Sequence, residues 1–232
     1  MDWGQIAQNR LAEIAQCSVD SEGVTRFPFT TEHGEAAKII RAWMEAAGMA
    51  VRWDAAGTLI GRKEGPAGAP TFLIGSHQDS VRNGGRYDGI MGVALGCLAV
   101  EKLTAEGVEL PFAVEVLAFA DEEGVRFPTA LMGPRALAGT FDPSGLERTD
   151  RSGVSRRQAL ADFGGDPDEV AALQRDPAAT LGYLELHIEQ GPVLEDADVA
   201  LGIVPGICGI ERTTVIFTGD TGHAGTVPMA GR

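Results

Sequence analysis

Three glycine-rich segments carry imidazole and carboxylate side chains close to short apolar runs, and this pairing narrows the possible fold more than any other feature. GSHQDS, from Gly75 to Ser80, leads into GGRYDGI, from Gly84 to Ile90; FADEEGVRF spans Phe119 to Phe127, and LELHIEQGP spans Leu184 to Pro192. The run 112–119 is almost continuously apolar, which suits a central parallel strand buried on both faces. In open α/β sheets the carboxyl ends of the strands form a crevice, so His77, Asp88, Glu122, Glu123 and His187 are the candidate site residues.

The rest of the chain alternates helix and strand signals. Residues 4–15 fit an amphipathic helix with Ile6, Leu11 and Ile14 as its apolar positions. Thr30 and Thr31 offer an N-cap for a helix over 32–47, with Glu32 in the favourable first turn and Gly48 as its stop. Its apolar set is Ala36, Ile39, Ile40, Trp43, Met44 and Ala47. Strands are expected at 49–54, 58–62 and 71–75, a buried helix at 89–103, and a helix at 129–138 that Pro134 should kink or end. The acidic, Gly- and Pro-rich stretch 140–180 reads as a surface excursion, followed by strands near 181–187, 199–204 and 213–218. The series predicts an α/β fold with a mostly parallel central sheet flanked by helices. A boundary near 209–213 would separate residues 1–211 from residues 212–232.

Composition excludes several classes. An apolar content of 44% excludes a disordered chain, and a formal charge of −14 with no basic stripe argues against nucleic acid or anionic lipid as partners. Cys17, Cys97 and Cys208 lie far apart and outside any C-x-x-C motif, so buried free thiols in a reduced compartment are expected. The N-terminus lacks the basic region and apolar core of a signal peptide, and no apolar run reaches the ~20 residues that span a bilayer. The cytoplasm is the expected location.

Imidazole and carboxylate donors suit Zn²⁺, Mn²⁺ or related ions such as Co²⁺ and Ni²⁺. Asp88 is the candidate bridge between two ions, or a cap for the following helix, and His77 and His187 would serve different ions. Asp79, two residues beyond His77, is placed to accept the other ring N–H of that histidine or to fix the loop. Adjacent Glu122 and Glu123 at a buried strand end repel one another unless cations are present, so Glu123 is assigned as a ligand and Glu122 as general base, then acid. Asp121 supports the loop or acts as a turn residue. Arg126 pairs with one of these carboxylates or stays exposed.

At this point the chain resembles the metal-dependent amidohydrolases that include N-carbamoyl-L-amino-acid hydrolase, allantoate amidohydrolase and β-ureidopropionase. The resemblance rests on GVTRF (Gly23 to Phe27), WMEAAGMA (Trp43 to Ala50), DAAGT (Asp54 to Thr58) and the three donor segments. It continues through LHIEQGPVLED (Leu186 to Asp196), IVPGICGI (Ile203 to Ile210) and HAGTVPMAGR (His223 to Arg232). It implies a zinc-peptidase-like catalytic domain followed by the start of a smaller α+β dimerisation domain at 212–232. It also implies two metal ions, a small ureido-type substrate cleaved at its carbamoyl C–N bond, and a homodimer. His77, Asp88, Glu123 and His187 match ligand positions and Glu122 the catalytic glutamate. Gln190 matches a substrate-binding glutamine, and His223 a histidine that reaches a partner's active site. Thr58, Pro128 and Pro134 depart from the family pattern, which would shift the ligand-bearing loop. The relatives are longer, so a last ligand histidine and a substrate-binding arginine and asparagine are expected beyond Arg232, itself the first position of an R-x-D segment. A dipeptidase or aminoacylase, and an inactive truncated metal-binding fragment, are the competing readings.

Overall fold

The computed structural model describes residues 1–19, 22–211, 213 and 215–231. Two units divide the chain, Met1–Ile188 and Glu189–Arg232. The first opens with α1 (Trp3–Ile14), capped by the Asp2 carboxylate, and α2 (Thr31–Ala46), capped by Thr30 as the sequence predicts. Both bury one stripe: Ala7, Leu11 and Ile14 on α1, and Ala36, Ile40, Trp43 and Met44 among others on α2. Burying each large aliphatic side chain is worth roughly 1.5–3 kcal/mol.

β1 (Ala50–Trp53), β2 (Leu59–Lys63), β3 (Thr71–His77), α3 (Ile90–Ala105) and β4 (Ala113–Phe119) follow, then α4 (Met132–Ala138), α5 (Arg156–Phe163) and β5 (Thr180–Leu184). The strand order is β1-β2-β4-β3-β5. β3 runs parallel to both β4 and β5, whereas β2 is antiparallel to β1 and to β4. The sheet is therefore mixed, a correction to the mostly parallel expectation. The cause is local: Asp54 accepts the N–H groups of Ala56 and Thr58, and this tight turn folds β2 straight back along β1 as a hairpin.

Pro134 does not end its helix. It is the third residue of α4, within the first turn, where its missing N–H has no intrahelical partner to lose. Nor is 140–180 a surface excursion. Leu146, Ala159, Leu160 and Val170 form a second core with Phe29, Ala56, Phe127 and Met132. Polar spacing between single anchoring residues hid that core from a periodicity argument.

In the second unit α6 (Val193–Asp196) is a single turn. Neither 199–204 nor the described residues of 213–218 form a strand, and they are exposed with no partner strand among the described residues. Thr214, Arg212 and Arg232 lie outside the described residues. Cys17 and Cys97 are buried free thiols, but Cys208 is exposed in this strand-free stretch. No helix among the described residues is long and apolar enough to cross a membrane.

Candidate metal centre

β3 and β4 pair in parallel with His77 opposite Phe119, so the loops leaving their carboxyl ends open side by side. β5 flanks β3 on the other side, and the chain continues from Leu184 to His187. The start of α3 closes the space between them at backbone contact. Gly89 has φ 65°, and a Cβ there would lie 2.4 Å from the His77 ring; a Cβ on Gly92 would lie 2.2 Å from the Leu186 carbonyl. Glycine is therefore required where the helix meets both histidine segments.

His77 Nε2 and His187 Nε2 stand 3.4 Å apart, His187 Nε2 is 3.3 Å from Asp88 Oδ1, and His77 Nε2 is 3.9 Å from the same oxygen. Two donors that are each ~2.0–2.1 Å from a tetrahedral ion lie about 3.3 Å from one another. Two of the three separations fit that value. The Nδ1 atoms face carbonyl oxygens, Asp79 O at 2.8 Å and Ile188 O at 2.9 Å. A carbonyl only accepts, so each ring carries its proton on Nδ1 and presents a lone pair on Nε2. Both imidazoles thus lie in one donor group with Asp88, where the sequence reading assigned them to different ions.

A second donor group joins His77 with Glu122 and Glu123, and within each group the donor atoms lie within 4.8 Å of one another. The Asp79 carboxylate accepts the N–H groups of Glu122 and Glu123, both at 3.2 Å, while its carbonyl serves His77. Burial, reinforced by Asp79, Glu122 and Asp88 against His77, pushes the Glu123 carboxyl up to about 7. Burial also raises Glu122. For His77, burial favours the neutral ring, but Asp79, Glu122 and Glu123 together outweigh it and raise its pKa. Such uncompensated acidic density is what a divalent cation relieves. The donor set is nitrogen and oxygen alone, and it fits Zn²⁺ or Mn²⁺.

Other expectations resolve differently. Gly89, not Asp88, occupies the N-cap position of α3. Arg126 pairs with Asp150 at 3.1 Å and donates to the carbonyls of Pro28 and Phe29, not to the glutamates. Gln190 and His223 belong to the second unit, where Gln190 has φ 59° and His223 Nδ1 accepts the Gly225 N–H at 3.0 Å. Several supporting residues escaped the sequence reading. Glu185 accepts from Ser76 and from the Tyr183 hydroxyl, bracing β3 against β5. Buried Arg26 donates to the Gln78, Ile14 and Cys17 carbonyls, which ties α1 to the loop after His77. An arginine inside the GVTRF motif was the available signal for that contact.

An apolar recess of about 340 Å³, lined by Phe119, Leu131, Pro134, Leu137 and Tyr183, opens beside His77 and Glu122.

Comparison with known proteins gives this geometry its context. The chain is 44% identical over 229 residues to an N-carbamoyl-L-amino acid amidohydrolase from Geobacillus stearothermophilus, covering 98% of this chain and 56% of that protein. It is also 44% identical over 228 residues to an allantoate deiminase from Arabidopsis thaliana, covering 96% and 43%. A hydantoinase/carbamoylase family amidase from Burkholderia ambifaria superposes with a TM-score of 0.76 at 34% identity, over 84% of this chain and 48% of that one. The chain spans about half the length of the curated relatives it matches. Residues 73–228, from within β3 through every candidate ligand, match the model of peptidase family M20/M25/M40, and to that family the chain belongs.

Proposed function

We propose that the protein hydrolyses the carbamoyl (ureido) C–N bond of an N-carbamoyl-L-amino acid or of allantoate with the help of two divalent ions, Zn²⁺ or Mn²⁺. The observation that carries this reading is the convergence of His77, Asp88, His187, Glu122 and Glu123 at strand ends with ligand-like spacing. The names of the relatives supply the substrate class.

When bound, the ions supply Lewis-acid polarisation of the carbonyl and a lowered pKa for the attacking water. His77, Asp88, Glu123 and His187 would hold them. Glu122 takes one proton from the water on its carboxylate and delivers it to the leaving nitrogen, a role suited to a carboxyl whose pKa burial already raises. Asp79 fixes the peptide bonds on either side of Glu122 while it orients His77. One water adds across the C–N bond, the amine leaves, and the carbamic acid that remains breaks down to CO₂ and ammonia. The apolar recess favours substrates with an apolar side chain.

In this reading residues 1–211 belong to the catalytic domain, and 212–232 begin a dimerisation domain. Gln190 contacts substrate, His223 steadies the substrate carbonyl of a partner subunit in a homodimer, and the protein works in the cytoplasm.

The test is metal-dependent ammonia release from N-carbamoyl-L-amino acids and allantoate, set against dipeptides. Glu122→Gln should lower kcat by about 10²–10⁴-fold with little change in KM. Faster cleavage of dipeptides would contradict the substrate assignment.

A further inference from the structure

Arg156, from α5, is 2% exposed although it is an arginine far from the donor segments in sequence. Its Nε lies 2.7 Å from Asp121 Oδ2, and Asp121 is the residue before Glu122. Its Nη1 donates to Thr129 Oγ1 at 2.6 Å and to the Gly145 carbonyl at 3.1 Å, and its Nη2 donates to the Thr129 carbonyl. One guanidinium therefore grips both limbs of the loop that carries the glutamates.

Those limbs are also joined to one another. Leu131 N–H donates to the Glu122 carbonyl at 2.7 Å, Met132 N–H to the Asp121 carbonyl at 3.0 Å, and Gly133 N–H to the Ala120 carbonyl at 3.3 Å. Asp121 has φ 55° and Leu131 has φ 66°. Left-handed backbone at two non-glycine residues persists only where the surroundings hold it, and both lie within this clasp. The Phe127 ring packs against the guanidinium groups of Arg156 and Arg126, each 5.1 Å from its centroid.

We propose, resting on the two-ion reading above, that Arg156 is a positioning residue for the Glu122–Glu123 turn: through Asp121 and Thr129 it fixes the left-handed bend that aims the glutamates at the ions. Among the described residues, the side-chain contacts given for Arg156 run to Asp121, Thr129, Gly145 and Phe127, so the two donor groups should respond differently to its loss.

The experiment is Zn²⁺ titration by calorimetry on the purified 232-residue chain, wild type and variants. Arg156→Met should weaken the zinc binding that depends on Glu123 by about 10–100-fold, the range typical of groups that orient metal ligands. Arg156→Lys, which keeps the charge but not the fork, should recover part of the loss. In a Glu123→Gln background, Arg156→Met should add less than about 2-fold, because the ligand it positions is already gone. A full additive loss in that background, or no loss in the single variant, overturns the proposal. If neither His77→Ala nor Glu123→Gln weakens zinc binding, the two-ion reading fails and takes this proposal with it. Should Arg156→Met not fold, amide hydrogen exchange on metal-free Arg156→Lys decides. Faster exchange at Glu122, Glu123, Leu131 and Met132 with unchanged α3 amides supports positioning, and uniform acceleration or no change overturns it.

Discussion

Backbone packing sets the histidine group, whereas two side chains and a run of backbone amides from three other segments set the glutamate turn. His77 ends a strand in fixed register with β4, and Gly89 presses the N-terminus of α3 against its ring. Glu122 and Glu123 instead leave a bend with positive φ at Asp121, held by Asp79, Arg156 and the 131–133 amides. The first arrangement depends on residues small enough to be absent. The second depends on charged groups that must be present and paired, which makes it easier to disturb from a distance.

His77→Ala should have the largest effect, since it removes the donor common to both groups. Zinc affinity should fall by at least about 100-fold, more than the loss of an outer partner costs. An unchanged titration would dissolve the distinction between the groups by removing both.

A third imidazole sharpens the comparison. His33 is fully enclosed, accepts the Phe29 N–H on Nδ1 and stacks on Phe163, and burial, with Arg26 nearby, lowers its pKa to about 3. The unfolded chain binds this proton near pH 6.5, so stability is complete above that pH and is lost as pH falls toward 3. At pH 5 the loss is about 2 kcal/mol relative to neutral pH, and His33→Gln should remove that increment from the pH dependence of chemical denaturation. His77 behaves in the opposite sense, because neighbouring carboxylates raise its pKa.

Gly89→Ala attacks the backbone-packed group alone. A methyl 2.4 Å from the His77 ring, on a residue with φ 65°, must move the histidine or the helix. Zinc binding should weaken about 10-fold, and the thermal midpoint should fall with a destabilisation of about 1–3 kcal/mol. If both stay at wild-type values, backbone contact does not set the histidine.

Proton release gives the smallest signal. With Glu123 near 7 before metal binds, zinc binding at pH 7 should displace about half a proton from that carboxyl. Affinity should therefore fall as pH drops through 7. Calorimetry in buffers of different ionisation enthalpy measures the release, and Glu123→Gln should lower it.

The two regions also differed in how far the sequence revealed them. The histidine group was legible because its residues sit at strand ends in glycine-bearing segments, and local pattern carries that information. The helix capped by Thr30 and the buried β4 were legible for the same reason. The sheet was read as mostly parallel because apolar runs state burial but not direction; the Asp54 turn that reverses β2 is a hydrogen-bonding detail. The Arg156–Asp121 pair stayed hidden because its partners are distant in sequence, and an arginine between polar neighbours reads as surface. The second core failed for a related reason, its anchors Leu146, Leu160 and Val170 being too sparse to make a period.

Zinc-edge X-ray absorption on the zinc-loaded chain addresses the central claim most directly. The account predicts nitrogen and oxygen neighbours at about 2.0–2.1 Å, with imidazole scattering from two rings that drops to one in His187→Ala. Sulfur neighbours at about 2.3 Å, or a spectrum without imidazole scattering, would contradict it.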